Sequence, residues 1–237
     1  MILLAFESSA KSAGAALYRD GAFIGENLQA SGQTHSRTLL EIAEDLLKTC
    51  ELTVNDVDAV AVAAGPGSFT GLRIGIAAAK GFAWGREIPC VGVSTLEAMA
   101  RGAAVTDGVY VCCMDARRAQ VYNAIFEIKD GKLTRLCPDR AVSIEELNGD
   151  LEKIEKPKIL VGDGALLCYN TLSDNGELIL PPEHLRLQRP AGVALAALEA
   201  LSRGETASAA ELRPNYLRLS QAERERAERL KKESEMS

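Results

Sequence analysis

The sequence predicts a two-lobed α/β protein with a duplicated layout, and three observations carry that reading. The chain opens with three strand-like runs, Ile2–Phe6, Ala13–Tyr18 and Phe23–Asn27, the last two joined by the hairpin turn Asp20-Gly21. The stretch DAVAVAAGPGSFTGLRIGIAAAKGFAW (Asp58–Trp84) then passes from an apolar strand through a glycine turn into a helix. From Gly102 the same order returns. Val109–Met114 and Gln120–Ile128 read as paired strands, Asp130-Gly131 turns into a third, and helix, strand and helix follow. No residue-level repeat accompanies this duplication.

Each element has its own justification. Ala59–Ala64 is rich enough in Val and Ala for a strand buried on both faces. Gly65-Pro66-Gly67-Ser68 turns the backbone, and Ser68 fits an N-cap. From Phe69 the period is helical: Leu72, Ile76, Ala79 and Ala83 form one stripe, and Gly71, Gly75, Ala78 and Phe82 a second. Each glycine inside a helix costs about 0.5–1 kcal/mol relative to alanine, so another backbone is expected close to that face. The candidates are the protein's own sheet, a phosphate or a second protein. Ser36–Lys48 is an amphipathic helix with Leu39, Leu40, Ala43, Leu46 and Leu47 on its apolar side.

Cys90–Val93 reads as a strand, and Ser94-Thr95-Leu96-Glu97 as a capping box opening a helix toward Arg101. Ser143–Glu146 is a second capping box. Lys158–Val161 is a strand that ends in Gly162-Asp163-Gly164 ahead of a helix over Ala165–Leu172. The Pro181-Pro182 region is irregular, and after Pro190 an Ala/Leu-rich helix runs to about Ser202 and returns to the first half. The first lobe is therefore expected over 1–102 with the returning helix 190–218, and the second over 103–189. A charged tail, 219–237, reads as a solvated helix with Glu225–Arg229 and Glu228–Lys232 at i,i+4.

Composition narrows the function. A net charge of −6 on 237 residues argues against a chain that grips nucleic acid by itself. MILLAFESSAK has no basic n-region, so no signal peptide is read, and no apolar stretch reaches membrane-spanning length. Six cysteines without a C-x-x-C pair read as small core residues in a reducing cytosol. His35 and His184 lie in different halves, and no Cys/His spacing makes a metal site. His35, at the entry of the first long helix, reads as a capping or surface residue. No G-x-S-x-G elbow occurs, and Gly65-Pro66-Gly67-Ser68-Phe69 lacks the lysine of a P-loop.

Four segments carry a resemblance: LLAFESSAKSAGAAL (Leu3–Leu17), GPGSFTGLRIG (Gly65–Gly75), MDARRAQVY (Met114–Tyr122) and PNYLR (Pro214–Arg218). In this order they resemble the TsaB family, bacterial proteins required for making threonylcarbamoyladenosine in transfer RNA, and they span nearly the whole chain. The resemblance implies the actin-like ATPase fold and a cytoplasmic, non-catalytic subunit. Such a subunit dimerises with a TsaD-like catalytic subunit, assembles with a TsaE-like ATPase, and meets tRNA only through the complex. It implies a homodimer when alone and no membrane. No cofactor of its own is expected, with ATP or ADP at most a weak or interfacial ligand. The alternatives are a glycoprotease-like or kinase-like enzyme of the same fold, or a homodimeric scaffold acting apart from tRNA.

Site residues follow from residues and resemblance together. The helices Ser36–Lys48 and Ser68–Trp84 are expected to offer a joint surface to a partner, through Leu39, Ala43, Leu46, Gly71, Gly75, Ala78 and Phe82. Glu7, Ser8 and Ser9 stand where the fold's first phosphate turn lies, but without its glycine pair. Gly162 and Gly164 are a candidate adenosine contact, with an ordinary strand-to-helix turn as the simpler reading. Arg117 and Arg118 fit an anion contact, and an Asp115–Arg bond that holds the hairpin fits equally well. The metal-binding histidine pair of the TsaD relatives aligns with Thr95 and Met99, neither a credible ligand, so no metal and no catalytic residue are expected.

Overall fold

The structure, a computed structural model, describes residues 1–172 and 177–218. Strands β1 (Ile2–Glu7), β2 (Ala13–Arg19) and β3 (Ala22–Gln29) form an antiparallel meander. Helix α1 (His35–Thr49) leads to β4 (Ala59–Gly65), α2 (Phe69–Ala83), β5 (Cys90–Ser94) and α3 (Thr95–Gly102). The second half contains β6 (Gly108–Asp115), β7 (Gln120–Lys129), β8 (Lys132–Arg135), β9 (Arg140–Ser143) and α4 (Ile144–Leu151). It continues through β10 (Lys158–Val161), α5 (Ala165–Thr171), β11 (Leu178–Ile179) and α6 (Glu183–Arg186). Helix α7 (Pro190–Ser202) follows.

The first sheet is ordered β3-β2-β1-β4-β5, and the second β8-β7-β6-β10-β11 with β9 added beside β7. In both, an antiparallel meander is extended by two strands that run parallel to its first strand. That repeat is the duplicated layout of the actin-like ATPase fold, which the order of elements in the sequence predicts.

The layers explain the composition of the elements. Phe6, Leu17 and Val62 meet Leu39, Leu46 and Ile76 of α1 and α2 on the outer face of the first sheet. Its inner face, Leu3, Ala5 and Ala61, meets Val193 and Ala197 of α7 and Ala98 of α3. The opposite side of α3, Leu96 and Met99, packs on Tyr110 and Phe126 of the second sheet, whose outer face is closed by α4 and α5. A sheet covered on both sides needs apolar residues at consecutive positions, so β4 reads Ala-Val-Ala-Val-Ala-Ala without alternation.

Local signals account for the ends. Ser68 accepts a hydrogen bond from Gly71 N at 3.3 Å. Ser143 and Glu146 complete a reciprocal capping box. At Ser94 only half of the expected box forms. Its hydroxyl accepts from Glu97 N, while the Glu97 carboxylate turns to Arg101 and Arg135.

Other expectations change. Leu40 is 52 % exposed, lying one residue off the core stripe. His35 caps no helix by its side chain; its Nε2 lies 2.8 Å from Ala10 O. Strands β9 and β11 and helix α6 are short and carry no periodic signal. The returning helix expected over 190–218 ends at Ser202, and residues 203–218 continue as a strap that runs from the first lobe to the second. The expected tail helix, 219–237, lies outside the described residues. Among the described residues no helix is long and apolar enough to cross a membrane.

Candidate functional site

The turn after β1 is filled by the protein itself. Glu7, Ser8 and Ser9 are buried, and Glu7 Oε1 accepts from Ser9 N at 2.6 Å and from Ser9 Oγ at 2.5 Å. Ser68 N donates to Ser9 O at 2.7 Å, and Ser8 Oγ donates to Gly71 O at 2.9 Å. The donors a phosphate would need are thus spent inside the fold. Burial raises the Glu7 carboxyl from its ordinary 4.5 to about 7, against the opposing hydrogen bonds from Ser9. Its Oε2 has no partner among the described residues.

The same turn answers what approaches the glycine stripe of α2. A Cβ at Gly71 would drive into the Ser8 carbonyl oxygen, and one at Gly75 would lie 2.5 Å from Ser8 Oγ and 3.1 Å from Val62 Cγ2. The glycines therefore admit the protein's own β1 turn, and the inference from them to a partner protein is corrected. Leu39, Ala43, Leu46 and Ala78, also expected at an interface, are buried in the core beneath α1 and α2. Their periodicity reports the sheet they cover.

Gly162 and Gly164 have a similar explanation. A Cβ on Gly162 would strike Cys113 O, and one on Gly164 would lie 2.9 Å from the Met114 carbonyl carbon. Both let the β10–α5 turn lie against the end of β6, as the simpler reading has it. Between them, Asp163 is raised by burial, opposed by a 2.8 Å hydrogen bond from Gln188 Nε2. Thr95 and Met99 are buried, and among the described residues no group of three or more His, Cys, Asp and Glu side chains could hold a metal ion.

Two grooves are open to solvent among the described residues: one of about 770 Å³ between the end of α2 and residues 206–211, of mixed polarity, and a more apolar one of about 520 Å³ between α1 and α2. Leu40, Val54, Ile74, Ala77 and Phe82 line the second, with Leu40 and Val54 52 % and 44 % exposed. Of the expected interface residues, Phe82 lies on this groove, where Leu39 and Ala78 also reach its floor. Leu40 and Ile74 were missed as its walls. Their signal was an apolar residue beside an already complete core stripe.

The β6–β7 hairpin brings the other motifs together. Arg117, Arg118 and Ala119 all have positive φ, at 65°, 55° and 54°. Asp115 Oδ1 accepts from Arg117 N at 2.7 Å, so the acid holds the turn through its backbone. The guanidinium of Arg117 lies 3.9 Å from Asp115 and its side chain is 86 % exposed. From the strap, Arg218 Nη1 donates to Ala116 O at 2.8 Å. Further up the strap, the Tyr216 ring stacks on Phe69 at 4.2 Å and its hydroxyl accepts from Arg73 Nε. The segments at Leu3–Leu17, Gly65–Gly75, Met114–Tyr122 and Pro214–Arg218 thus form one connected set of contacts.

Comparison with known proteins decides the family. A family model described as TsaD, tRNA N6-adenosine threonylcarbamoyltransferase, matches residues 29–226. The tRNA threonylcarbamoyladenosine biosynthesis protein TsaB of Bacillus subtilis is 33% identical over 94% of this chain and 96% of the relative. The chain belongs to the TsaB family. TsaB of Escherichia coli is 29% identical over 92% of this chain and 95% of its own length. A Pseudomonas aeruginosa crystal structure, described as an uncharacterized protein with similarity to the peptidase YeaZ, superposes with a TM-score of 0.78. It is 26% identical and covers 92% of this chain and 99% of its own. The four segments that carried the resemblance are therefore those of a TsaB-family member.

Proposed function

We propose that this TsaB-family chain is a non-catalytic subunit of the cytoplasmic assembly that modifies tRNA to threonylcarbamoyladenosine. It docks a TsaD-like catalytic subunit along the α1–α2 groove, and a TsaE-like ATPase joins the pair. The observation that carries this reading is a contrast. The positions that bind phosphate and metal in catalytic relatives are filled by Ser8, Ser9, Thr95 and Met99 packed inside the protein. An apolar groove on the outer helices is meanwhile left open by the described residues. The occupant is a homologous subunit, because the TsaD family model matches residues 29–226, α1 and α2 included, and a second copy of this chain competes for the same face when alone.

The test is Leu40→Asp with Ala77→Asp in the full chain. Both side chains line the groove and are exposed, so thermal unfolding should shift little. Pairing with the TsaD-like subunit in sedimentation, and modification of tRNA by the reconstituted mixture, should be lost. Normal pairing by the double variant would place the interface elsewhere. Threonylcarbamoyl transfer to tRNA by the isolated chain would overturn the non-catalytic role.

A further inference from the structure

The tip of the β6–β7 hairpin has a feature the docking role leaves unused. Left-handed backbone costs an L-residue roughly 1–2 kcal/mol, and hairpins that need it ordinarily place Asn or Gly there. Here Arg117, Arg118 and Ala119 occupy it in succession. The conformation is held from three sides. Within the hairpin, Ala116 N donates to Gln120 O at 3.0 Å and Gln120 N to Arg117 O at 3.2 Å. From the start of α4, Ile144 N donates to Ala119 O at 3.3 Å, and from the strap Arg218 binds Ala116 O.

Among the described residues the charges at this tip are only loosely engaged. Asp115 uses one oxygen on backbone, lies 3.9 Å from one guanidinium, and leaves that side chain largely in solvent. Arg118 is exposed, and no hydrogen bond or ion pair engages its side chain among the described residues. Elsewhere Arg101, Arg135, Arg140, Arg189 and Arg203 are each held by carboxylates. Two exposed arginines at successive positions, on a chain of net charge −6, form a local cationic point suited to phosphate oxygens. The tip belongs to the second lobe, and its residues are not among those lining the groove between α1 and α2.

We propose that Arg117 and Arg118 contact the phosphate backbone of the RNA substrate, an inference that rests on the function proposed above. The contact is electrostatic and reads no base. It positions the RNA on the assembly while the partner subunit performs the transfer.

The experiment uses the full chain, reconstituted with its TsaD-like and TsaE-like partners, and unmodified tRNA as the probe. Arg117→Ala with Arg118→Ala preserves the fold, since Ala119 already takes the same backbone conformation. Loss of two phosphate contacts should lower the slope of log affinity against log salt by about 1.4–1.8. The KM for tRNA should rise several-fold with kcat little changed, and Arg117→Lys with Arg118→Lys should restore most of the affinity. An unchanged slope and KM, beside a wild-type complex that binds and modifies tRNA, overturns this inference alone. Loss of protein pairing instead of RNA affinity assigns the tip to an acidic protein face and likewise overturns it. A wild-type complex that binds no tRNA overturns both readings.

Discussion

Three glycines of α2 allow its packing to be tested as a graded series. Gly71→Ala places a methyl against the Ser8 carbonyl, a backbone atom fixed by the buried contacts of Ser9 and Glu7. Overpacking of this kind costs about 1–3 kcal/mol or more where nothing yields, and a strained Ser8–Gly71 hydrogen bond adds to it. Helix propensity returns about 1 kcal/mol, leaving a net destabilisation of about 1–3 kcal/mol. At Gly75 the obstacle at 2.5 Å is the Ser8 hydroxyl, which can rotate if it surrenders that bond, so Gly75→Ala should cost about 1 kcal/mol net. A Cβ at Gly81 meets nothing within 4 Å, so Gly81→Ala should stabilise by about 0.5–1 kcal/mol. Urea unfolding followed by circular dichroism measures all three, and for a chain of this size each kcal/mol moves Tm by about 2–4 °C. Equal effects at all three positions, or a stabilised Gly71→Ala, would refute the assignment of the stripe to the protein's own turn.

Further outcomes concern the site and the strap. Glu7 is raised from 4.5 to about 7 in the folded state, so the fold binds its proton more tightly than the unfolded chain. Its contribution is fully present below pH 4.5 and is lost as pH rises to about 7, on the order of 3 kcal/mol, with no further loss above. Glu7→Gln should flatten that part of the stability–pH curve and gain stability at pH 8; a parallel downward shift at every pH would contradict it. Tyr216→Ala removes the 4.2 Å stack on Phe69 and should cost about 1–2 kcal/mol. The released strap should speed hydrogen exchange at Asn215, whose N–H bonds Ala64 O; unchanged protection there would mean that the ring does not hold the strap. Protein purified without chelator should carry no stoichiometric zinc or iron and release phosphate from ATP no faster than Glu7→Ala, by elemental analysis and phosphate assay. Retained metal, or turnover abolished by that substitution, would revive an enzymatic role.

Sequence by itself determined the long elements and much of the negative evidence, but not β9, β11 or α6. The Asp20-Gly21 and Asp130-Gly131 turns, the Val/Ala run of β4, the Ser68 cap and the Ser143 capping box are local signals, so each was legible before any packing was known. The missing histidine pair at Thr95 and Met99 was equally plain. Tertiary structure alone decided what each apolar or small stripe meets. Gly71 and Gly75 announce a close approach, but whether by partner, phosphate or the Ser8 turn depends on residues more than sixty positions away, so nothing in the helix specifies it. Leu39 and Leu40 are adjacent and chemically the same; about 100° of helix rotation buries one under the sheet and leaves the other lining a groove. The left-handed run at Arg117–Ala119 had no sequence signal, because Arg and Ala have no preference for it. Contacts from α4 and the strap impose that conformation from outside the turn.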